Sequence, residues 1–378
     1  MTPAARINRE SLLSLRNVAT DGATFDGSEQ MATTPPEVLF HRRFQRLRRQ
    51  EDRELYRGKA DLDRLPGEPL PVKLLEDLQT MLNAALAGEQ DVPEHADHDP
   101  FHFDYVDSDE PNALALCGDG HSFIGVTIPL LDRLWQSASR VADSADVATL
   151  LNMQLSEAER TSMNVQQRIA VGVFRLELLF IVLHEWTHVV HGHVRPDDAG
   201  FANEVLARND GNIEQQARES DADGYAAYHM LENIINGPER AHVVSVLAMG
   251  DKTVDVQEKL LLCCFIIAVA AYLFTCEPQE VNSETAYTFQ HPPQALRMNL
   301  LMKSVKTWCY QNRQTLHEWL TLQPFQRLMN LVATATWGMN GGDDWSEQIR
   351  FLKSPDGMAY AERVEVALIE QIKQGYRN

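Results

Sequence analysis

Apolar positions recur at helical spacing along most of the chain and switch to period two over one stretch, residues 101–128. The helical pattern predicts a helix with Leu39, Phe40, Phe44, Leu47 and Leu55 on one side, and a second from Val72 to Leu86 carrying Leu74, Leu75, Leu78, Met81, Leu82 and Ala85. Further helices are predicted over Leu130–Val141, Val147–Ala158, from near Asn164 to about residues 192–195, and from Glu219 to about Leu231. Late in the chain Leu300–Leu320, Phe325–Trp337 and Ala359–Gln374 read as helices, with Gly338, Gly341, Gly342, Asp343 and Asp344 as a loop between the last two. In the period-two stretch FHFDYVD alternates, NALALC follows, and a Gly118-Asp119-Gly120 turn leads into HSFIGVTIP. That is the pattern of a small antiparallel sheet. The fold class expected is α+β, mainly α.

Four regions are expected: a flexible N-terminal arm over 1–36, a helical region over 37–99, a central domain over 100–300 and a helical C-terminal region over 301–378. The chain's 378 residues and 44% hydrophobic content support a packed core. A formal net charge of −20 speaks against nucleic acid and anionic membrane as partners. Arg42, Arg43, Arg46, Arg48, Arg49, Arg53 and Arg57 form a local exception, and with Glu51, Asp52 and Glu54 among them they read as a solvated helix face. The five cysteines lack paired spacing, which disfavours both a disulfide framework and a cysteine zinc site, and the N-terminal segment lacks the apolar core of a signal peptide. A cytoplasmic setting is the expectation.

The chemistry concentrates in LELLFIVLHEWTHVVHGH, residues 176–193. Its His184-Glu185-Trp186-Thr187-His188 is an HExxH motif. Positions i and i+4 share a helix face, so His184 and His188 can hold one metal ion, with the Glu185 carboxylate within reach of a water on that ion. Zinc suits two imidazoles and lowers the pKa of a bound water to about 7. The third ligand is sought further on. On a continuing helix His191 would lie about 10 Å beyond His184. Glu219, in RESDADG, is the stronger candidate, with Asp221 as its rival; Asp223, at i+4 from Glu219, can hydrogen-bond the back nitrogen of a ligand histidine. Against both stands the reading of ESDAD as an acidic first turn favoured by the helix dipole. His95, His98 and His102 lie in or beside a polar loop and read as surface histidines.

These motifs together resemble a gluzincin metallopeptidase, similar to the family of heat-shock membrane proteases and CAAX-prenyl proteases. The likeness rests on HExxH with His193 five positions on, on the ExxAD pattern of Glu219 to Asp223, on His291-Pro292-Pro293 with Arg297 six positions after the histidine, and on Asn112-Ala113-Leu114-Ala115 with Gly125-Val126-Thr127 upstream. Smaller soluble gluzincin groups share this short signature. The resemblance implies a zincin-like core, one Zn2+ per chain on His184, His188 and Glu219, Glu185 as general base, and His291 and Arg297 near the reacting carbonyl. It implies a zinc endopeptidase. The alternative is a non-catalytic metal-binding regulatory protein on the same fold. A protein or peptide substrate is expected along a sheet edge near Ala113–Leu116 or Ile124–Ile128. The oligomeric state is open. The family's membrane members carry several spanning helices. Here Leu260–Cys276 is the one candidate, and because a single crossing would separate Glu219 from His291, it is expected to be a buried core helix, with no stable membrane span.

Overall fold

The period-two stretch folds as strands β2 (Phe101–Ser108), β3 (Ala113–Gly118) and β4 (His121–Thr127), joined at one edge by β1 (Tyr56–Lys59). This is a computed structural model, and it describes residues 34–47, 56–64, 72–90, 98–150, 164–194, 213–247 and 249–374. Asp119 and Gly120, with φ of 56° and 71°, form the two-residue turn between β3 and β4. The strand order is β1-β2-β4-β3. The expected all-antiparallel sheet is corrected here, because β2 and β4 run parallel while the other two pairings are antiparallel. The reason is topological. The β3–β4 hairpin docks through its second strand, so β4 fills the centre and β3 becomes an edge. With β4 paired on both sides, Ile124–Thr127 offers no free edge, and of the two predicted edge segments only Ala113–Leu116 remains.

Both faces of the sheet are covered. Helix α1 (Pro36–Arg46) lays Phe40 and Phe44 against Tyr56, Val106, Leu114, Leu116 and Phe123. On the other face Phe103, Tyr105, Ile124 and Val126 join the main core beneath α2 (Val72–Gln90) and α3 (Ile128–Asp143). Double covering explains why β2 and β4 are buried nearly throughout despite their alternating sequence. His102 is thereby buried on β2 rather than at the surface, beside Asp104, which Lys59 pairs at 2.5 Å; His95 lies outside the described residues. Two arginines of the basic segment turn to their own chain: Arg43 donates to the Cys117 carbonyl at 2.7 Å, and Arg57 binds Asp107 and Asp109, while Arg42 and Arg46 are exposed.

After the short α4 (Ala145–Leu150), α5 (Asn164–Val190) runs through the centre of the molecule, packed by α3, β3 and α6 (Ile213–Ile235). Then come α7 (Glu239–Val246) and α8 (Val254–Leu273). By length and composition α8 could cross a membrane, yet it is mostly buried in the protein, against α3, α5 and α6. The C-terminal helices are α9 (Gln294–Asn312), α10 (Gln314–Trp319), α11 (Leu322–Trp337), α12 (Gly341–Leu352) and α13 (Pro355–Gln374). Three expectations shift. The predicted Leu300–Leu320 helix breaks at Arg313, whose φ and ψ are −149° and 80°. The predicted Gly-rich loop is the start of α12, where Asp343 and Asp344 occupy the first turn and suit the helix dipole. Helix α6 starts at Ile213, so Glu219, Asp221 and Asp223 are not an acidic first turn; they lie inside the helix and are buried. The described residues from Pro36 onward form one compact unit, and α9 runs through position 300. The arm expected over 1–36 falls almost wholly outside the described residues.

Candidate metal centre

Helices α5 and α6 cross so that the three predicted ligands converge. His184 Nε2 is 3.1 Å from His188 Nε2 and 3.2 Å from Glu219 Oε2, and His188 Nε2 is 3.8 Å from Glu219 Oε1. Tetrahedral ligation at 2.0–2.1 Å spaces donor atoms by about 3.3–3.4 Å, so these separations suit one zinc-sized ion. The electrostatics agree. Burial works against a charged His184, yet Asp223 and Glu219 outweigh it and raise its pKa well above the usual histidine value. Two carboxylates set against a buried imidazole make this a centre that favours positive charge. Burial likewise opposes ionisation of Glu219, and His291, His188 and His184 overcome it and hold the carboxyl below its ordinary range. Two imidazoles and one carboxylate are the donor set of a catalytic zinc that keeps a fourth position.

Behind the ligands stands a layer that orients them. Asp223 Oδ1 is 3.0 Å from His184 Nδ1, as the i+4 spacing predicted. Arg297 grips Asp223 with two arms, Nε at 2.8 Å and Nη2 at 2.7 Å, and lies over the Tyr272 ring. Burial disfavours the Asp223 carboxylate, but this fork holds its pKa far below normal. Arg297 was expected as a donor near the reacting carbonyl; it is buried, lines the cavity and has its guanidinium paired with Asp223. His291 does reach the centre. Its Nδ1 is 2.7 Å from Glu219 Oε2, and the side chain is 48% exposed at the cavity mouth.

Glu185 lies beside His184, buried, and burial lifts its pKa to about 7; the Glu219 charge adds to this, while His184 and the Ala115 N–H oppose it. The Ala115 contact fixes how the edge strand sits. Asn112 points its carbonyl inward to Thr127 N–H at 2.9 Å, so by alternation Ala113 and Ala115 present their backbone groups outward, Ala115 toward Glu185. A cavity of about 260 Å³ is lined by Ala113 and Leu114 on one side and by His184, Glu185, His188, Glu219, His291 and Tyr272 on the others.

The sequence reading did not foresee what surrounds this centre. Tyr272, the cavity's aromatic wall, lay hidden in the uniformly apolar Leu260–Cys276 run. Gln215 donates to Glu219 at 3.2 Å. One turn before Ser220, Gln216 donates to the carbonyls of Ala286 and Phe289, at 3.0 and 2.8 Å, and accepts from Tyr360 of α13 at 2.5 Å. It ties the segment leading to His291 onto the ligand helix. No local pattern could reveal a link between positions 216, 289 and 360. His191 is not a ligand of this centre; it bonds Asp221, and His193 sits against His188.

His184, His188 and Glu219 thus form a buried group of donor atoms that could hold a metal ion. Residues 131–312 match the sequence model of the family described as Peptidase U49, which supports a peptidase family for this chain and suggests proteolysis as its activity. Comparison with curated proteins and with solved structures finds no match.

Proposed function

We propose that the protein is a zinc-dependent endopeptidase of the gluzincin type. One observation carries the reading: three buried donor atoms from two helices converge at separations suited to a single ion, with an adjacent carboxylate of pKa about 7 facing the same cavity. His184, His188 and Glu219 would hold the ion, which supplies Lewis acidity toward a peptide carbonyl and toward water. Glu185 accepts a proton from water attacking that carbonyl and returns it to the departing nitrogen, a transfer suited to a pKa near working pH. The outward backbone of Ala113 and Ala115 accepts an extended peptide as an added strand. His291, at the open side of the cavity, is the supplementary donor to the developing oxyanion. The regulatory alternative needs a fourth protein ligand that closes the site. His193 meets His188 through Nδ1, away from the converging Nε2 atoms, and Asp221 faces His191 and His193.

The test is Glu185→Gln. Cleavage of a denatured protein substrate falls by about 10²–10⁴-fold or more, while bound zinc per chain stays at the wild-type value. Full activity in that variant removes Glu185 from the mechanism and the proposal with it.

A further inference from the structure

A second cluster of metal-ligating side chains lies beside the first. His191 Nδ1 is 2.6 Å from Asp221 Oδ2, and His193 Nε2 is 3.5 Å from the same oxygen. By residue type His191, His193 and Asp221 could hold another cation. The positions of the protons decide otherwise. His188 turns Nε2 toward His184 and Glu219, so a neutral His188 that ligates there carries its proton on Nδ1. That Nδ1 is 2.9 Å from His193 Nδ1. A hydrogen bond between two ring nitrogens needs one donor and one acceptor, so His193 Nδ1 accepts. A neutral His193 then carries its proton on Nε2, the atom facing Asp221. A protonated nitrogen cannot bind metal, whereas it can donate to a carboxylate.

We infer that His193 and Asp221 are positioning residues for the ligand His188: a carboxylate, an imidazole and a second imidazole in series, with no second cation. The inference rests on the metal reading above. It makes the two ligand histidines alike in support. Asp223 orients His184 directly, and Asp221, two residues earlier on α6, orients His188 through His193. His191 holds the same Asp221 oxygen, Oδ2, at 2.6 Å.

The end of α5 builds this contact. Gly192 has φ of 68°, its N–H bonds the Val189 carbonyl at 2.9 Å, and the His193 N–H bonds the His188 carbonyl at 2.8 Å. These are the paired bonds of a Schellman cap. The cap turns the chain back, so the residue whose backbone closes on His188 also sets its ring against the His188 ring. An imidazole five positions after the ligand histidine has a mechanical reason to be there.

Full-length protein freed of metal is titrated with zinc against a chromophoric chelator, as wild type, His193→Phe, His193→Gln and Asp221→Asn. Every form binds one equivalent. His193→Phe weakens binding by about 10–100-fold, the range for loss of a group that orients a metal-bound histidine. His193→Gln, whose amide oxygen can accept from His188, recovers most of that loss and serves if the Phe variant does not fold. Asp221→Asn weakens binding less than His193→Phe. In zinc-loaded protein labelled with 15N-histidine, His193 is the Nε2–H tautomer. Two equivalents in wild type, one of them lost in His193→Phe, would establish a second cation site and overturn the inference; so would an Nδ1–H tautomer at His193. Wild-type affinity in both His193 variants removes the inference and leaves the metal reading standing. A wild-type protein that takes up no zinc removes both.

Discussion

Single side chains carry the least forgiving interactions in this molecule. Arg297 and Asp223 form a buried, two-armed ion pair directly behind His184. Replacing Arg297 with Met leaves an unpaired carboxylate in the interior, at a cost of about 3–5 kcal/mol in stability. Urea denaturation of the two proteins measures it, and a change below about 1 kcal/mol would mean the pair is solvated or replaced. Glu177 is a different case. It lies on α5 two turns before His184, is wholly buried, and among the described residues neither oxygen has a hydrogen-bond partner. Burial therefore raises its folded-state pKa well above the 4.5 of an exposed glutamate. Its contribution to stability is fully present below the unfolded value and is lost as pH rises toward the folded one. Glu177→Gln removes this dependence, so its melting temperature gains on wild type as pH climbs from about 5 to 8. A constant offset across that range would show that Glu177 does not titrate in the fold.

At the scale of elements, the centre depends on two helices crossing at a fixed register and on what holds them there. Helix α6 is packed by α5, α9 and α13. The C-terminal helix α13 looks remote from the chemistry, but its Tyr360 hydroxyl donates to Gln216, which in turn secures the Ala286–Phe289 backbone before His291. Tyr360→Phe removes one buried hydrogen bond and leaves the Gln216 oxygen unsatisfied, a loss of about 1–3 kcal/mol by chemical denaturation. Gln216→Leu frees the segment carrying His291. It should lower kcat/KM of the proposed peptidase while leaving zinc affinity near wild type, since His184, His188 and Glu219 keep their supports. Equal losses in both quantities would argue that Gln216 supports the ligands themselves. Gly192 is the corresponding joint in α5. Alanine at φ of 68° costs about 1 kcal/mol, read as a lowered denaturation midpoint.

For the molecule as a whole, charge and architecture point the same way. In a chain of net charge −20, Glu185, Glu219, Asp221 and Asp223 are nonetheless buried around the candidate centre. The sheet is closed by α1 on one face and by α2 and α3 on the other, leaving the outer edge of β3 beside Glu185. Helix α8 has the composition of a membrane span because it is enclosed by other helices, which demands apolar residues on all sides just as lipid does.

The candidate donors were legible in the chain only as local pairs: i to i+4 on a helix places His184 with His188 and Glu219 with Asp223 wherever those helices go, and the meeting of the two pairs is tertiary. Helix existence and the β3–β4 turn followed from periodicity and from Gly118-Asp119-Gly120 for the same short-range reason. Strand order did not follow, since a parallel β2–β4 pairing joins segments that no local pattern relates. Nor could spacing say that Arg297 would pair with Asp223, that Tyr272 would wall the cavity, or that His193 would fold back onto His188. Those outcomes depend on which buried charges find partners and which surfaces pack when distant segments meet, and only the tertiary structure brings them together.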